Sequence, residues 1–328
     1  MNVEAANVLP VRDFVNAPAP ARHVLNLSHV KLSPYAYEVE QATIAWLQNS
    51  GLLPEKRYLE KIDGMAVWGY VGFSHPFGGV EETTLYAKFL TLWLLWDDLV
   101  VEKASDLGAV SRGIAQAFQW DKGTVNERDP YLRAWRSIVD GYKNAGVSRD
   151  FLRRLARKMD VWVQATAREN NDIRAASPLS ARGHFRRRLI TIGVLPAVHL
   201  LDLDVGDIDR QPAARRVLTA TAANVTLANE LASVEKDADR VNIVPLLQSW
   251  HHCDFESAYG RAVDLCRLSL EELSAAIEAL PARLQTWGQS VLYMAEGFNY
   301  WHFACAPRYN GNRIQCQVAQ DVLEHRWA

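Results

Sequence analysis

The sequence predicts an all-α fold in a single domain, on three observations. Apolar residues recur at three- and four-residue spacing through most of the chain. Regular alternating runs and hairpin turns between β-branched stretches, the marks of strands, are nearly absent, and no segment repeats. Gly and Pro fall between the periodic stretches, at Gly123, Gly146, Pro178, Gly206 and Pro281, without a linker-like region.

Taken in order, residues 1–34 carry Pro10, Pro18, Pro20, Pro34 and the run NAPAPA, which limit helix and suggest an extended N-terminal strap; residues 35–328 form the helical domain. Tyr35 to Ser50 reads as an amphipathic helix, with Val39, Ala42, Ile44, Trp46 and Leu47 apolar and Gly51 as its stop. A second helical segment breaks around Gly78-Gly79. The stretch Leu85 to Lys103, LYAKFLTLWLLWDDLVVEK, reads as a central helix, because Phe89, Leu92, Trp93 and Trp96 return at helical spacing. Periodicity then recurs over about 106–120, 129–145, 148–170, 184–201, 209–238, 254–279 and 282–306, followed by a short C-terminal piece.

With 328 residues the chain can build one large core or two ordinary domains. A net charge of −2 gives no electrostatic case for nucleic acid or an anionic membrane, and no run is long and apolar enough for a membrane span. Cys253, Cys266, Cys305 and Cys316 form neither a close CxxC pair nor a secreted-domain framework, so free thiols in a reducing cytoplasm are expected. The first thirty residues lack an apolar run behind a basic start, so no signal peptide is expected. Eleven tryptophans and ten phenylalanines suit either packing or the lining of an apolar cavity.

The central helix ends in acids. Asp97 and Asp98 follow an apolar run, and Glu102 lies four residues past Asp98 on nearly the same helical face. Acids near a helix C-terminus oppose the helix dipole, so a hard cation would explain them; a solvated helix end is the alternative. A second polar ladder lies in Asn224 to Asn242, where Asn229, Ser233 and Asp237 are spaced four and four, with Lys236 beside them. Amide, hydroxyl and carboxylate oxygens are ligands that Mg²⁺ takes, although the same pattern also makes the polar face of a surface helix. Two such faces meeting across a bundle would hold divalent ions between helices. His75, His184, His199, His251 and His252 have no metal-ligand spacing and read as structural or surface residues.

The residues also carry a resemblance. DDLVVE has the DDxxxE form of the acidic motif of class I terpene synthases of the bacterial type, and NELASVEKD resembles their NSE motif. Pro307-Arg308-Tyr309 resembles their C-terminal Arg-Tyr pair, RRRLITIG at 186–193 the arginine-bearing segment before the NSE helix, and SPYAYEVEQATIAWLQNSGLL their first helix. Asp237 stands where the family more often has Glu, Glu230 where Asp is common, and Leu189 where a second Arg is usual. The resemblance spans nearly the whole chain and implies a helical bundle with a central active-site cavity.

It further implies a Mg²⁺-dependent cyclase in which Asp97, Asp98, Glu102, Asn229, Ser233 and Asp237 hold a magnesium cluster. Arg188, Lys236, Arg308 and Tyr309 would donate hydrogen bonds to the diphosphate of a linear isoprenoid, farnesyl or geranylgeranyl, Arg188 fitting the local pattern best with Arg186 and Arg187 as adjacent alternatives. The product would be a terpene hydrocarbon or alcohol. Trp68, Phe73, Phe89, Trp93 and Trp301, near the motifs, are the candidate aromatic walls, each also readable as core. Gly311 and its flanking Asn residues beside Arg308 suit a loop that closes over diphosphate. Two other readings remain: a prenyl-chain-elongating synthase, which normally carries two aspartate-rich motifs, and a non-catalytic isoprenoid-binding helical protein. A homodimer is left open by the sequence.

Overall fold

A computed structural model describes residues 23–52, 56–101, 106–119, 128–175, 180–201, 208, 211–236, 241–309 and 314–317. Strand β1 (His23–Asn26) leads into helices α1 (Ala36–Asn49), α2 (Lys56–Met65), α3 (Val67–Ser74) and α4 (Val80–Trp96). Next come α5 (Leu107–Ala117), α6 (Pro130–Asn144), α7 (Arg149–Arg174), α8 (Ala181–Thr191) and α9 (Val194–Leu200). The chain continues through α10 (Pro212–Ser233), α11 (Ile243–His251), α12 (Phe255–Glu278) and α13 (Gln285–Tyr300) to strand β2 (Ile314–Gln317). No described helix is long and apolar enough to cross a membrane.

Helix starts follow local chemistry. The side chains of Asp106, Asp129, Ser180, Asn242 and Asp254 each accept a backbone N–H in the first turn of α5, α6, α8, α11 and α12, satisfying donors that a helix leaves open. Helix α4 begins after Gly79 with Glu81 and Glu82 in its first turn, where the dipole favours acids. Its second half is buried on nearly every side, through Phe89, Leu90, Thr91, Leu92, Trp93, Leu95 and Trp96. It is therefore an interior helix packed by α1, α3 and α6 rather than an amphipathic one. On the opposite side α10 is packed by α8, α9, α12 and α13. The core joins α4, α6 and α7 through edge-to-face ring pairs: Phe89–Trp135 at 5.2 Å, Trp93–Trp162 at 5.1 Å and Trp96–Trp135 at 5.7 Å.

Several boundaries depart from the sequence reading. The regular part of the central helix stops at Trp96, and Asp97–Val101 winds on as a π-helix. A second π segment, Trp301–Cys305, extends α13. The segment after α1 is broken at Ala66, whose φ is +46°, and the stretch 184–201 is divided at Gly193, whose φ is +76°. Helix α11 was not anticipated; its nine residues are too few to stand out by period. A two-stranded parallel pair, with His23 opposite Ile314 and Asn26 opposite Gln317, replaces part of the irregular strap. Residues 1–22 of that strap lie outside the described residues. Beyond β1 the chain crosses α3 and α13: Ser33 donates its N–H to Gly72 O at 2.9 Å, and His29 Nδ1 meets the buried Glu296 at 2.9 Å. Among the described cysteines, Cys253 and Cys266 are free.

Candidate active site

The π winding after α4 redirects the acids. A π turn takes more residues than an α turn and commonly marks functional positions. Here Asp97 faces a cavity together with Leu90, Trp93 and Leu94 of α4. Asp98 reaches Arg308 Nη2 at 3.6 Å, with the two side chains only 15% and 13% exposed. Glu102, expected on the same face as Asp98, lies outside the described residues. Because the segment is not an α-helix, the four-residue spacing no longer fixes a shared face.

The facing wall is the C-terminal end of α10. Asn229 lines the same cavity as Asp97. One turn on, Ser233 is buried, and its Oγ has no hydrogen-bond partner among the described residues. Regular helix ends at Ser233, and Asp237 lies outside the described residues. Lys236 is exposed, with Nζ 5.8 Å from the Tyr309 ring centre.

Beneath this wall sits a buried polar network centred on Glu230, which is 4% exposed. Its carboxylate accepts from Arg188 Nε at 2.7 Å and from Ile243 N–H at 2.7 Å, and lies 2.9 Å from His184 Nε2. Burial alone would raise the Glu230 carboxyl, but the Arg188 charge, His184 and the Ile243 N–H together hold it below the usual carboxylate range. Arg188 also donates to Asn229 Oδ1 at 3.0 Å and Thr191 Oγ1 at 3.2 Å. Of its neighbours, Arg187 pairs with Asp172 at 2.6 Å and Arg186 is exposed. Arg188 is thus the arginine that reaches the α10 wall.

The second π segment brings up the third wall. Asn229 Nδ2 donates to Tyr309 OH at 3.1 Å and lies 3.3 Å from His302 Nε2. His302 Nδ1 lies 2.7 Å from Phe298 O, an acceptor, so Nδ1 carries the proton and Nε2 is the acceptor. Burial, with the Arg308 and Lys236 charges adding to it, brings His302 down to about 3, so the ring is neutral. Arg308 lies 5.4 Å from the centre of the Tyr309 ring.

Tyr70, Trp162 and Phe298 complete the aromatic lining along with the expected Trp93 and Trp301, around a free volume of ≈ 80 Å³. The structure departs from expectation for the other three aromatics, which do not line this cavity. Phe89 is consumed by packing on Trp93 and Trp135, Phe73 packs edge-on against Tyr300 at 4.7 Å, and Trp68 stacks on Tyr37 at 5.6 Å. Proximity to a motif in sequence does not decide what a ring packs against: Phe89 shares a helix face with Trp93, yet Trp135 takes up its ring. His302, Tyr70 and Trp162 carried no sequence signal; only the fold brings them here.

The donor set suits a hard cation. Asp97, Asn229 Oδ1 and the unpartnered Ser233 Oγ are oxygen donors of the kind Mg²⁺ takes. Among the described residues no three His, Cys, Asp or Glu side chains converge on one point.

Comparison with known proteins bears on the family and the fold. The sequence model described as "Terpene synthase family 2, C-terminal metal binding" matches residues 88–272. A (12E)-labda-8(17),12,14-triene synthase from Streptomyces anulatus is 24% identical over 289 residues, 83% of this chain and 85% of that one. A (−)-β-caryophyllene synthase from Saccharothrix espanaensis, described as cyclising (2E,6E)-farnesyl diphosphate, is 24% identical over 264 residues, 77% of this chain and 73% of that one. The fold matches 2-methylisoborneol synthase from Streptomyces coelicolor A3(2), solved with Mg²⁺ and 2-fluoroneryl diphosphate, at a TM-score of 0.76 and 18% identity, over 88% of this chain and 98% of that one. It also matches a hedycaryol synthase in complex with nerolidol, at a TM-score of 0.70 and 16% identity, over 87% and 99% of the two chains.

Proposed function

The chain belongs to terpene synthase family 2, a class I terpene synthase with the all-α fold of that class, and from that footing we propose that it ionises and cyclises a linear isoprenoid diphosphate with the help of Mg²⁺. Farnesyl or geranylgeranyl diphosphate is the proposed substrate, a hydrocarbon or alcohol the product, and residues 35–328 the catalytic domain behind a strap at 1–34. The observation that supports this reading most is that Asp97 and Asn229, from helices far apart in sequence, line one aromatic cavity.

Asp97, Asp98 and Glu102 would hold cations from one wall, and Asn229, Ser233 and Asp237 from the other. Mg²⁺ bound there supplies Lewis-acid neutralisation of the diphosphate, which makes it a better leaving group. Arg188, Arg308, Lys236 and Tyr309 donate hydrogen bonds to diphosphate oxygens, the planar guanidinium fork suiting that geometry. Heterolysis of the C–O bond leaves both electrons on the diphosphate and an allylic cation on the hydrocarbon. The faces of Trp93 and Trp301 then stabilise that cation by up to about 2 kcal/mol each when water is excluded. A dry wall matters because water would capture the cation.

A free volume of ≈ 80 Å³ is below the roughly 300–1,000 Å³ of small-molecule sites, so substrate entry must widen the cavity. Asp98–Arg308 and Arg188–Asn229 are among the polar links that would open, each residue exchanging its partner for cation or diphosphate.

The test is incubation with geranyl, farnesyl and geranylgeranyl diphosphates, separately, with Mg²⁺ and without isopentenyl diphosphate, followed by mass spectrometry and a diphosphate assay. A cyclic C15 or C20 product is expected, lost in D97A and N229A. Release of no diphosphate from any of the three sinks the proposal, and a need for the C5 co-substrate would favour chain elongation.

A further inference from the structure

Helices α7, α8 and α9 also enclose a surface cavity of ≈ 380 Å³. That volume falls within the range of small-molecule sites. Helix α7 lines it with two columns at four-residue spacing, Arg153–Arg157–Val161 and Arg154–Lys158–Trp162. Residues four apart share a helix face, so each column begins in cations and ends in an apolar group. The lining holds four cations against one carboxylate, Asp150, which pairs with Arg153 and Arg154. At the other end Val161 is 53% and Ile190 38% exposed, with Leu195 and Pro196 beside them. Large aliphatic groups left in water beside a cation cluster fit a ligand with an anionic head and a hydrocarbon tail.

The joint between α8 and α9 is a thin partition between this cavity and the catalytic one. Ile190, Leu195 and Pro196 line the outer cavity, whereas Thr191, Ile192, Gly193 and Val194 line the inner. Trp162 contributes to both. Its Nε1–H donates to Thr191 O at 2.9 Å, its ring meets Trp93 edge-on at 5.1 Å, and Thr191 Oγ1 accepts from Arg188. A ligand against the outer side of Trp162 therefore touches the ring that packs on Trp93 and that is bonded to Thr191, the acceptor for Arg188.

We propose that the outer cavity is a second binding site for a phosphorylated isoprenoid, with its phosphate at Arg153, Arg157 and Lys158 and its chain along Val161, Ile190 and Leu195. The site needs no divalent cation, because the protein itself supplies the positive charge. The choice of an isoprenoid tail rests on the catalytic reading above; the head-and-tail pattern does not.

The full chain in EDTA is titrated calorimetrically with farnesyl S-thiolodiphosphate. Metal-independent binding is expected, retained in D97A/N229A and weakened at least tenfold in R157E/K158E. Inorganic diphosphate alone and farnesol alone should each bind at least tenfold more weakly than the intact amphiphile. A benzophenone-bearing farnesyl diphosphate analogue should label peptides within 150–162 or 190–196 of the wild-type protein, a readout that does not depend on how the variants fold. Absence of binding, binding indifferent to R157E/K158E, or labelling confined to the inner cavity overturns the proposal. So does binding only to phosphatidylglycerol vesicles, which would make the patch a membrane-facing surface. Failure to turn over any prenyl diphosphate would sink the catalytic reading and leave this binding result standing.

Discussion

Gly193→Ala is a sharp test of how the catalytic cavity is built. Gly193 has φ +76°, and a Cβ built on it overlaps Trp93 Cζ2 and Cη2 and comes within 3.2 Å of Cε2. Holding an L-residue in the left-handed region costs roughly 1–2 kcal/mol. Forcing a methyl against a packed ring costs roughly another 1–3 kcal/mol. The sum is about 2–5 kcal/mol, a fall in Tm of roughly 3–7 °C for a chain of this size. The two parts can be separated, because the clashing atoms belong to the six-membered ring of the indole. In G193A/W93F the packing part should be relieved and the backbone part kept, so the pair should be non-additive by about 1–3 kcal/mol. Differential scanning calorimetry on the four proteins of the cycle measures this, and product analysis should show altered ratios, since Trp93 lines the cavity. A G193A protein that melts within about 1 °C of the parent, with unchanged products, would refute the claim that Gly193 is there to seat Trp93.

Three further outcomes follow from the site. Ser233→Ala removes a buried hydroxyl with no partner among the described residues, so Tm should hold or rise slightly, while turnover with Mg²⁺ should fall at least tenfold; a loss of stability without loss of turnover would mean that Ser233 is structural. Glu230→Ala strands Arg188 and the buried His184, and should cost about 3–5 kcal/mol in denaturant unfolding, more than any single metal-site oxygen. His302 is brought down from 6.5 to about 3, so between those values the unfolded chain binds a proton that the folded chain refuses. Its contribution to stability is whole above pH 6.5 and drains as pH falls toward 3; the metal-free protein should lose stability over that window, and His302→Gln should flatten the slope. An unchanged slope would show that His302 does not stay neutral when folded.

Much of the fold was legible because periodicity and punctuation are local. Helix α1 ends where Gly51 stops it, α6 begins at the Asp129-Pro130 signal, and α7 follows its 3.6-residue pattern. The failures are where local pattern and tertiary demand part company. The end of the central helix reads as α from its spacing, yet Asp97–Val101 is π, and nothing in the five residues DDLVV announces the change. Phe89 and Trp93 lie four apart on one apolar helix, but only Trp93 borders the cavity, because α6 delivers Trp135 onto Phe89.

What the sequence determined by itself is the chemistry available: oxygen donors at Asp97, Asp98, Asn229 and Ser233, cations at Arg188, Arg308 and Lys236, and helices to carry them. These are properties of residue types and of spacing along one element, which a single strand of letters contains. Only the tertiary structure decided which of them meet. Asp97 and Asn229 lie on elements far apart in sequence, and His302, Tyr309 and Arg188 converge on Asn229 from three different elements. That convergence depends on how helices pack and where π turns rotate their ends, and packing is a sum over distant side chains that no local pattern records.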